Sequence, residues 1–210
     1  MEKQSNKTEK TYSEPTWEYE DVLLQRGYKS IAGIDEAGRG PLAGPVVAAA
    51  VILDREDEIS GIKDSKKLSE KKRDFFYNEI MNSALSIGIG IVDELIIDSI
   101  NIRNATHLAM KKAVENLSLK PDFLLIDAET LIDIEISQKA IIKGDSLCFS
   151  IAAASIIAKV KRDSLIAKYD NIYPGYGFSK HKGYGTKQHF ENIRKYGILP
   201  IHRKTFLKNI

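Results

Sequence analysis

One stretch, GIDEAGRGPLAGPV from Gly33 to Val46, constrains the fold of this chain more than any other. It begins in one apolar run, passes through two adjacent carboxylates and a glycine-rich turn with one arginine, and ends where a second apolar run begins. Two apolar runs with a short connection predict an antiparallel pair of β-strands, the first over residues 28–35 and the second over 46–53.

The turn between these strands has the composition of a ligand-binding site. Neighbouring side chains of a regular strand point to opposite faces, so Asp35 and Glu36 serve one site only if the strand ends there or one of them contributes its backbone carbonyl. Gly38 and Gly40 permit such an ending, because glycine accepts positive φ and brings backbone N–H groups close to a ligand. Two carboxylates beside such a turn can hold a hard cation and a phosphate together. The alternative is a hairpin with a charged corner, since the Asp-Glu pair recurs twice elsewhere.

The composition is that of one globular domain. The chain has 210 residues, 43% of them apolar and 29% charged, with Cys148 as the single cysteine. This length suffices for one sizeable α/β core, and one cysteine excludes an internal disulfide and a thiolate zinc cluster. We expect Cys148 to be a small buried residue. No apolar run reaches the roughly 20 residues that span a bilayer, and the N-terminus lacks a signal-peptide pattern, so we expect a cytoplasmic protein without membrane contact.

The net charge of +2 conceals a strong segregation of charge along the chain. Residues 159–210 carry 12 Lys/Arg against 3 Asp/Glu, whereas residues 21–158 carry 16 against 21. A basic region beside an acidic body suits a polyanionic partner next to a cation site. A solvated surface rich in lysine explains the same charge equally well.

Further segments have clear helical or strand patterns. Residues 1–27 are predicted to form a flexible N-terminal extension, with a short docked helix beginning near Trp17. The remaining patterns predict helices over about 69–82, 102–117 and 187–195, and a strand over 85–91 whose glycines let another element pack closely.

Two more carboxylates follow short apolar runs. Asp127 ends the run Phe123–Ile126, and Asp145 follows a second run that begins at Ile141. A carboxylate at the end of a buried strand lies where open α/β sheets place their chemistry, although Asp127 is also suited to cap a turn. Asp145 is expected to cap a buried helix over 146–168 and can still face a metal.

Three predicted strand ends therefore carry acids. Carboxylates that converge from separate strand ends at one edge of a sheet can hold two cations, and their hard oxygen donors match Mg²⁺ or Mn²⁺. The sequence contains no HExxH, P-loop or GxSxG segment that would indicate a different chemistry.

Two basic segments are candidates for contact with a substrate. Lys66 precedes a helix N-terminus, where backbone N–H groups favour anions, but an ordinary surface lysine is the simpler interpretation. Residues 173–185 form a predicted loop that mixes aromatic rings with Lys180, His181 and Lys182. Aromatic rings interleaved with cations suit the backbone and bases of a nucleic acid.

Taken together, these motifs resemble those of the ribonuclease HII family. The segments that carry the resemblance occur in the family's order: GIDEAGRGPLAGPV, DSKKLSEKKR, LLIDA, KGD followed by SIAAASIIAKVKRD, and HKGYGTK. The resemblance extends from about Tyr28 to Phe206. It implies a ribonuclease H-like α/β fold, with a mixed five-stranded sheet flanked by helices, and a catalytic domain over 28–210 that ends in a basic helical segment.

The resemblance also implies an activity. The family hydrolyses the RNA strand of RNA–DNA hybrids and cuts 5′ of single ribonucleotides in duplex DNA, leaving 3′-hydroxyl and 5′-phosphate ends, by two-metal-ion catalysis with Mn²⁺ or Mg²⁺. The residues that match the family's sites are the four acids Asp35, Glu36, Asp127 and Asp145, the ribonucleotide-sensing turn Gly38-Arg39-Gly40, and the junction-reading Tyr184. Lys66 is added as a candidate substrate contact.

Two other functions fit parts of the sequence. A non-catalytic nucleic-acid-binding module would share the basic third of the chain, but it gains nothing from repulsive carboxylates near phosphate. Another nuclease of the same fold, such as a junction resolvase, would not need the Gly38–Gly40 turn or Tyr184. Ribonuclease HIII fits less well because its long N-terminal domain has no counterpart here. We expect a monomer; contact with a sliding clamp is not derivable from the sequence.

Overall fold

A mixed five-stranded sheet forms the centre of the computed structural model, which describes residues 14–56, 59–131 and 133–207. The strands are β1 (Ile31–Ala37), β2 (Val46–Ile52), β3 (Ser86–Val92), β4 (Phe123–Asp127) and β5 (Ser137–Ile141). They lie in the order β3-β2-β1-β4-β5. The pairs β1–β2 and β2–β3 are antiparallel, whereas β4 is parallel to both β1 and β5. The predicted fold class and the antiparallel first pair are confirmed.

Helices flank the sheet on both sides. They are α1 (Glu18–Gln25), α2 (Glu70–Ser83), α3 (Glu94–Glu115), α4 (Gly144–Leu147), α5 (Phe149–Ala167), α6 (Tyr169–Ile172), α7 (Phe178–His181) and α8 (Lys187–Tyr196). The predicted helices that correspond to α2 and α8 are confirmed, and the Ser69 side chain caps α2 by accepting a hydrogen bond from the Lys72 N–H. Helix α3 begins earlier than predicted. A segment capped by Asp93 precedes the predicted periodic part, and the two are separated by a kink at Asn101, where φ is 66°.

Glycines in the sheet allow α3 and α5 to pack directly against the strands. A Cβ atom on Gly88 or Gly90 of β3 would lie 1.9 Å from a carbonyl oxygen of α3. On the opposite face, a Cβ atom on Gly33 of β1 would lie 2.2 Å from the Ser150 carbonyl carbon in α5. The prediction that small residues in β3 admit a close neighbour is therefore confirmed. In the same way, the absence of a side chain at Gly33 lets α5 pack directly against β1.

The chain between β5 and α5 differs from the prediction. Strand β5 ends at Ile141, Ile142 is 78% exposed, and Lys143 is left-handed with φ of 60°. The predicted strand was wrong because β5 is an edge strand that begins with three polar residues, so no continuous apolar run marks it. Asp145 lies in the first turn of α4, and the long helix begins only at Phe149, so the predicted cap by Asp145 is also wrong.

The N-terminus of α5 is instead capped from α1. The Glu20 carboxylate accepts hydrogen bonds from the Ser150 N–H at 2.8 Å and from the thiol of Cys148 at 3.1 Å. Trp17 stacks on Phe149 with ring centroids 4.6 Å apart. The predicted docked helix and the buried Cys148 are confirmed.

The prediction of a flexible extension over 1–27 falls partly outside the described residues, which begin at residue 14. The domain boundary placed at residue 28 stays a prediction. In the described ranges, no helix combines the length and apolar character that a bilayer crossing requires.

Most aromatic residues of the predicted loop over 173–185 are core residues. Tyr176 and Phe178 are buried and stack on each other at 5.3 Å, in a cluster with residues of α5 and α8. They are not available to a nucleic acid, so that part of the prediction was wrong. A glycine- and tyrosine-rich composition does not distinguish a binding loop from a small second core. Tyr184, at 42% exposure, is open to solvent.

Candidate active site

Parallel strands bring the predicted acids to one edge of the sheet. Ile34 of β1 pairs with Ile126 of β4, so the next residues, Asp35 within β1 and Asp127 at the end of β4, lie side by side. Asp145 arrives from α4, immediately after β5, which is parallel to β4. The adjacency of Asp35 and Asp127 is thus a direct consequence of strand register.

Three of the four acids meet within coordination distance of a shared ion. Ligand oxygens of Asp35, Asp127 and Asp145 all lie within 4.8 Å of one another. Asp35 and Asp145 are only 3% and 6% exposed. Clustered carboxylate oxygens of this kind fit hard divalent cations such as Mg²⁺ and Mn²⁺.

Glu36 is placed differently from the other three acids. Its carboxylate faces the guanidinium of Arg39 at 3.4 Å, as expected for the neighbour of Asp35 on a strand. Its backbone N–H donates to Oδ1 of Asp35 at 2.7 Å, so Glu36 also orients the first acid. Glu36 therefore lies at the border between the acid cluster and the glycine turn.

The acid cluster is electrostatically strained without a cation. Burial, followed by the charges of Glu36 and Asp127, holds the pKa of Asp35 well above its usual value. Burial and then Asp145 raise the pKa of Asp127, although its Oδ1 accepts a hydrogen bond of 2.7 Å from the Gly144 N–H. Burial also raises the pKa of Glu36, against the opposing effect of Arg39. Mutual repulsion of this kind favours binding of a positive ion.

Lys66 reaches the acid cluster from the solvent side. Its ammonium lies 3.6 Å from Oδ2 of Asp145, while its side chain remains 75% exposed. Burial lowers the pKa of Lys66, but the carboxylates, Asp35 foremost, outweigh it and raise the pKa. Lys66 is therefore a cation beside the candidate active site, which places it where a substrate phosphate would approach.

The glycine turn is held by an arginine that the sequence analysis missed. Arg203 is fully buried, and its guanidinium donates to the carbonyl oxygens of Gly38 at 2.6 Å, Arg39 at 2.9 Å and Gly44 at 2.9 Å. Burial lowers the pKa of Arg203 to about 9. The sequence shows Arg203 only as one cation in a basic segment, so no pattern distinguishes it from a phosphate-binding arginine.

A second buried arginine, Arg162, connects the loop that carries Tyr184 to the segment that follows the glycine turn. Arg162 of α5 donates to the carbonyl oxygens of Pro45 at 3.3 Å and Lys182 at 3.0 Å. The Arg162 guanidinium lies 5.8 Å from the centroid of the Tyr184 ring. A Cβ atom on Gly40 would lie 3.7 Å from Cε1 of Tyr184. The structure therefore places the two predicted recognition elements, the turn and the tyrosine, next to each other.

Arg39 connects the turn to an unpredicted acidic residue. Its guanidinium lies 3.3 Å from Glu129, whose carboxylate also contacts His107 at 2.6 Å and Arg103 at 3.4 Å. The hydrogen bond from His107, followed in effect by the charge of Arg39, lowers the pKa of Glu129 against the effect of burial. Glu129 and Glu36 thus hold the Arg39 side chain between them.

Comparison with known proteins identifies the family. Residues 32–209 match the model of the family described as Ribonuclease HII. The chain belongs to the ribonuclease HII family. The Ribonuclease HII of Clostridioides difficile (strain 630) is 59% identical over 192 residues, which cover 91% of this chain and 75% of that relative. The family membership that the motifs implied is therefore confirmed, and the protein is an enzyme, a ribonuclease H-type hydrolase that acts on RNA–DNA hybrids.

Solved structures of this family share the fold. The ribonuclease H2 of Pyrococcus horikoshii OT3 superposes with a TM-score of 0.72 at 28% identity, over 84% of this chain and 93% of that one. The ribonuclease HII of Archaeoglobus fulgidus, solved as a complex with PCNA, gives a TM-score of 0.72 at 28% identity, over 83% and 94% of the two chains. These likenesses support the sheet order and helix placement described above.

Proposed function

We propose that this ribonuclease HII also cuts duplex DNA on the 5′ side of a single embedded ribonucleotide, leaving 3′-hydroxyl and 5′-phosphate ends. The observation that carries the proposal is the position of the acid cluster beside a glycine turn that lies next to an exposed tyrosine. The acids supply a cation site for hydrolysis, and the turn and the tyrosine supply a means of recognising one ribose in a DNA strand.

The donor set fits divalent cations. Asp35, Asp127 and Asp145 would hold them, with Glu36 at the border of the site, and Mn²⁺ and Mg²⁺ are the ions that match all-oxygen ligands. When bound, such ions neutralise charge on a phosphate and lower the pKa of a bound water, which is the chemistry of two-metal hydrolysis. The raised pKa values of the acids are consistent with a site built for added positive charge.

The protein's own groups orient the substrate. Backbone amides of the turn over residues 38–40 can contact a ribose 2′-OH, the group that distinguishes RNA from DNA. Tyr184 can stack on the neighbouring deoxyribose or base, since its ring is exposed beside Gly40. Lys66 attracts the phosphate next to the acids, and the basic C-terminal region contacts the flanking backbone.

A duplex with one labelled ribonucleotide tests the proposal. We expect the wild-type enzyme to cut 5′ of the ribonucleotide with Mg²⁺ or Mn²⁺ and not with a chelator. Asp35→Asn or Asp127→Asn should abolish cutting and leave duplex binding largely intact. Asp74→Asn changes an exposed carboxylate on α2 in the same way and serves as the matched control, with activity unchanged. Full activity of either site variant would contradict the assigned acids, and a wild type that cuts long hybrids alone would contradict the proposed incision.

We further infer that the enzyme acts as a monomer in the cytoplasm. All four acids, the turn and the tyrosine come from one chain, so no second copy is needed to complete the site. Size-exclusion chromatography with light scattering tests the monomer, with a dimer mass as the contradicting result.

A further inference from the structure

Three of the four histidines of the chain form a buried cluster behind Tyr184. His181 ends α7, His189 lies in α8, and His202 lies in the segment that follows α8. The rings of His181 and His189 stack with centroids 4.2 Å apart, and Nε2 of His189 lies 3.1 Å from Nε2 of His202. None of these residues belongs to the acid cluster or to the turn.

The hydrogen bonds around two of these rings determine where their protons lie. The Leu199 N–H donates to Nδ1 of His202 at 2.9 Å, whereas the Leu199 carbonyl oxygen lies farther away at 3.3 Å, so Nδ1 is the acceptor and His202 carries its proton on Nε2. That proton is donated to Nε2 of His189. His189 must therefore carry its own proton on Nδ1, where it donates to the carbonyl oxygen of Tyr184 at 2.9 Å. The result is an ordered chain of hydrogen bonds from the Leu199 amide to the Tyr184 backbone.

The backbone of Tyr184 depends on few other contacts. It is flanked by Gly183 and Gly185, its N–H donates to the His181 carbonyl at 2.9 Å, and its carbonyl also accepts from the Thr186 N–H at 2.8 Å. Glycines on both sides give the main chain here more conformational freedom than other residues would. The bond from His189 is thus the side-chain contact that fixes the carbonyl of this exposed residue.

We propose that His189 and His202 are positioning residues that hold Tyr184 against the turn at Gly40 and thereby set the preference for a single ribonucleotide over a long hybrid. This inference rests on the proposed role of Tyr184 in the incision of ribonucleotide-containing DNA. The two histidines touch no substrate in this arrangement; they act through the Tyr184 backbone.

The hydrogen-bond chain requires both rings to be neutral. A second proton on His189 would place two N–H donors face to face at 3.1 Å, and a second proton on His202 would place its Nδ1–H opposite the Leu199 N–H at 2.9 Å. The groups that face the pair are the His181 ring and the Phe178 and Tyr176 rings, whereas the guanidinium of Arg203, the next residue after His202, donates to the turn. Among the described residues no carboxylate bonds to these rings, and Asp170 acts only on His181. Burial, with the neighbouring histidines, lowers the pKa of His189 to about 4, and burial also lowers the pKa of His202.

Three variants test the positioning role at pH 7.5. His189→Leu removes both bonds, and His189→Asn restores an amide donor close to the position of Nδ1. Phe178→Leu is the matched control, because Phe178 packs against the same rings at 5.5–6.2 Å and donates no hydrogen bond to Tyr184. The measurement is the ratio of kcat/KM for a duplex with one ribonucleotide to kcat/KM for a long hybrid. Because the same acids cut both substrates, any effect of a variant on the acids changes both kcat/KM values and leaves their ratio unaffected.

We expect His189→Leu to lower the ratio about fivefold, chiefly through KM, as the loss of one ordinary hydrogen bond would do. His189→Asn should recover most of the ratio, and Phe178→Leu should leave it unchanged while lowering Tm. An unchanged ratio in folded His189→Leu, or an equal change in Phe178→Leu, overturns the positioning role. If the wild-type enzyme does not cut at a single ribonucleotide, the proposed function is contradicted. That result is distinct from an unchanged ratio in His189→Leu, which contradicts only the positioning role.

A measurement on the wild-type protein keeps the inference testable if the leucine variant does not fold. Imidazole ¹⁵N chemical shifts report directly which ring nitrogen carries the proton. At pH 7.5 we expect His189 to carry its proton on Nδ1 and His202 to carry its proton on Nε2. The opposite tautomer on either ring overturns the hydrogen-bond chain, whatever the activity.

Discussion

Arg203 donates a hydrogen bond of 2.6 Å to the carbonyl oxygen of Gly38, 165 positions earlier in the chain. The same guanidinium donates to the Arg39 and Gly44 carbonyl oxygens, so one buried side chain fixes the whole turn. The planar fork of an arginine can serve several acceptors at once, which an ammonium on a flexible stem cannot.

The first prediction concerns Arg203→Lys. We expect this variant to lose about 2–3 kcal/mol of unfolding free energy, because buried carbonyl oxygens lose their donors. Cutting at a single ribonucleotide should fall more than cutting of a long hybrid, since the turn loses its support. Urea unfolding and kcat/KM on both substrates measure these effects. Arg194→Lys, on an exposed position of α8, is the control and should match the wild type. Wild-type stability in Arg203→Lys would contradict the assigned role.

The second prediction concerns the cap of α5 by Glu20. Glu20→Ala removes the acceptor of the Ser150 N–H, and loss of such a cap costs about 1–2 kcal/mol. We expect Tm to fall by roughly 2–4 °C for each kcal/mol in a protein of this size. Glu20→Gln keeps one oxygen for the Ser150 N–H and should retain most of the stability. Equal losses in the two variants would show that the cap is not what Glu20 contributes.

The third prediction links activity to stability in the acid cluster. Because burial and neighbouring carboxylates raise the pKa of Asp35, its charged form opposes folding at pH 7. Asp35→Asn should therefore raise Tm in a chelator while abolishing cutting. Asp74→Asn provides the baseline for a neutralised carboxylate outside the cluster. A lower Tm for Asp35→Asn than for this control would show that its hydrogen bond with the Glu36 N–H outweighs the repulsion.

The fourth prediction is a pH dependence of stability. The pKa of His189 is about 4 in the folded protein and about 6.5 when unfolded, so the unfolded chain binds more protons between these values. The stability that depends on a neutral His189 is complete above pH 6.5 and decreases by roughly 3 kcal/mol as pH falls to 4. Raised pKa values of the active-site acids act in the opposite direction, so the measurement is the difference in unfolding free energy between wild type and His189→Asn. A difference that does not change from pH 7 to pH 4.5 would contradict the prediction.

The sequence predicted those parts of the site that follow from local pattern. Asp35 and Asp127 end buried apolar runs, and parallel strand pairing places such residues side by side. Asp145 was predicted as a site residue, but its helix α4 and the preceding strand β5 were not, because β5 begins with three polar residues and lacks an apolar run. Arg162, Arg203 and Glu20 could not be recognised, because their partners are backbone groups of distant segments, and a backbone group leaves no residue-specific pattern in the sequence.

The order of these residues along the chain has a consequence for synthesis. All four acids lie within the first 145 residues, whereas the side chains that hold Tyr184 and the turn, His189, His202 and Arg203, come later in the chain. During synthesis, the four acids therefore leave the ribosome well before the arginine and histidines that hold the turn and Tyr184. The nascent chain can assemble its sheet early, but the turn and Tyr184 are held in place only after Arg203 has emerged.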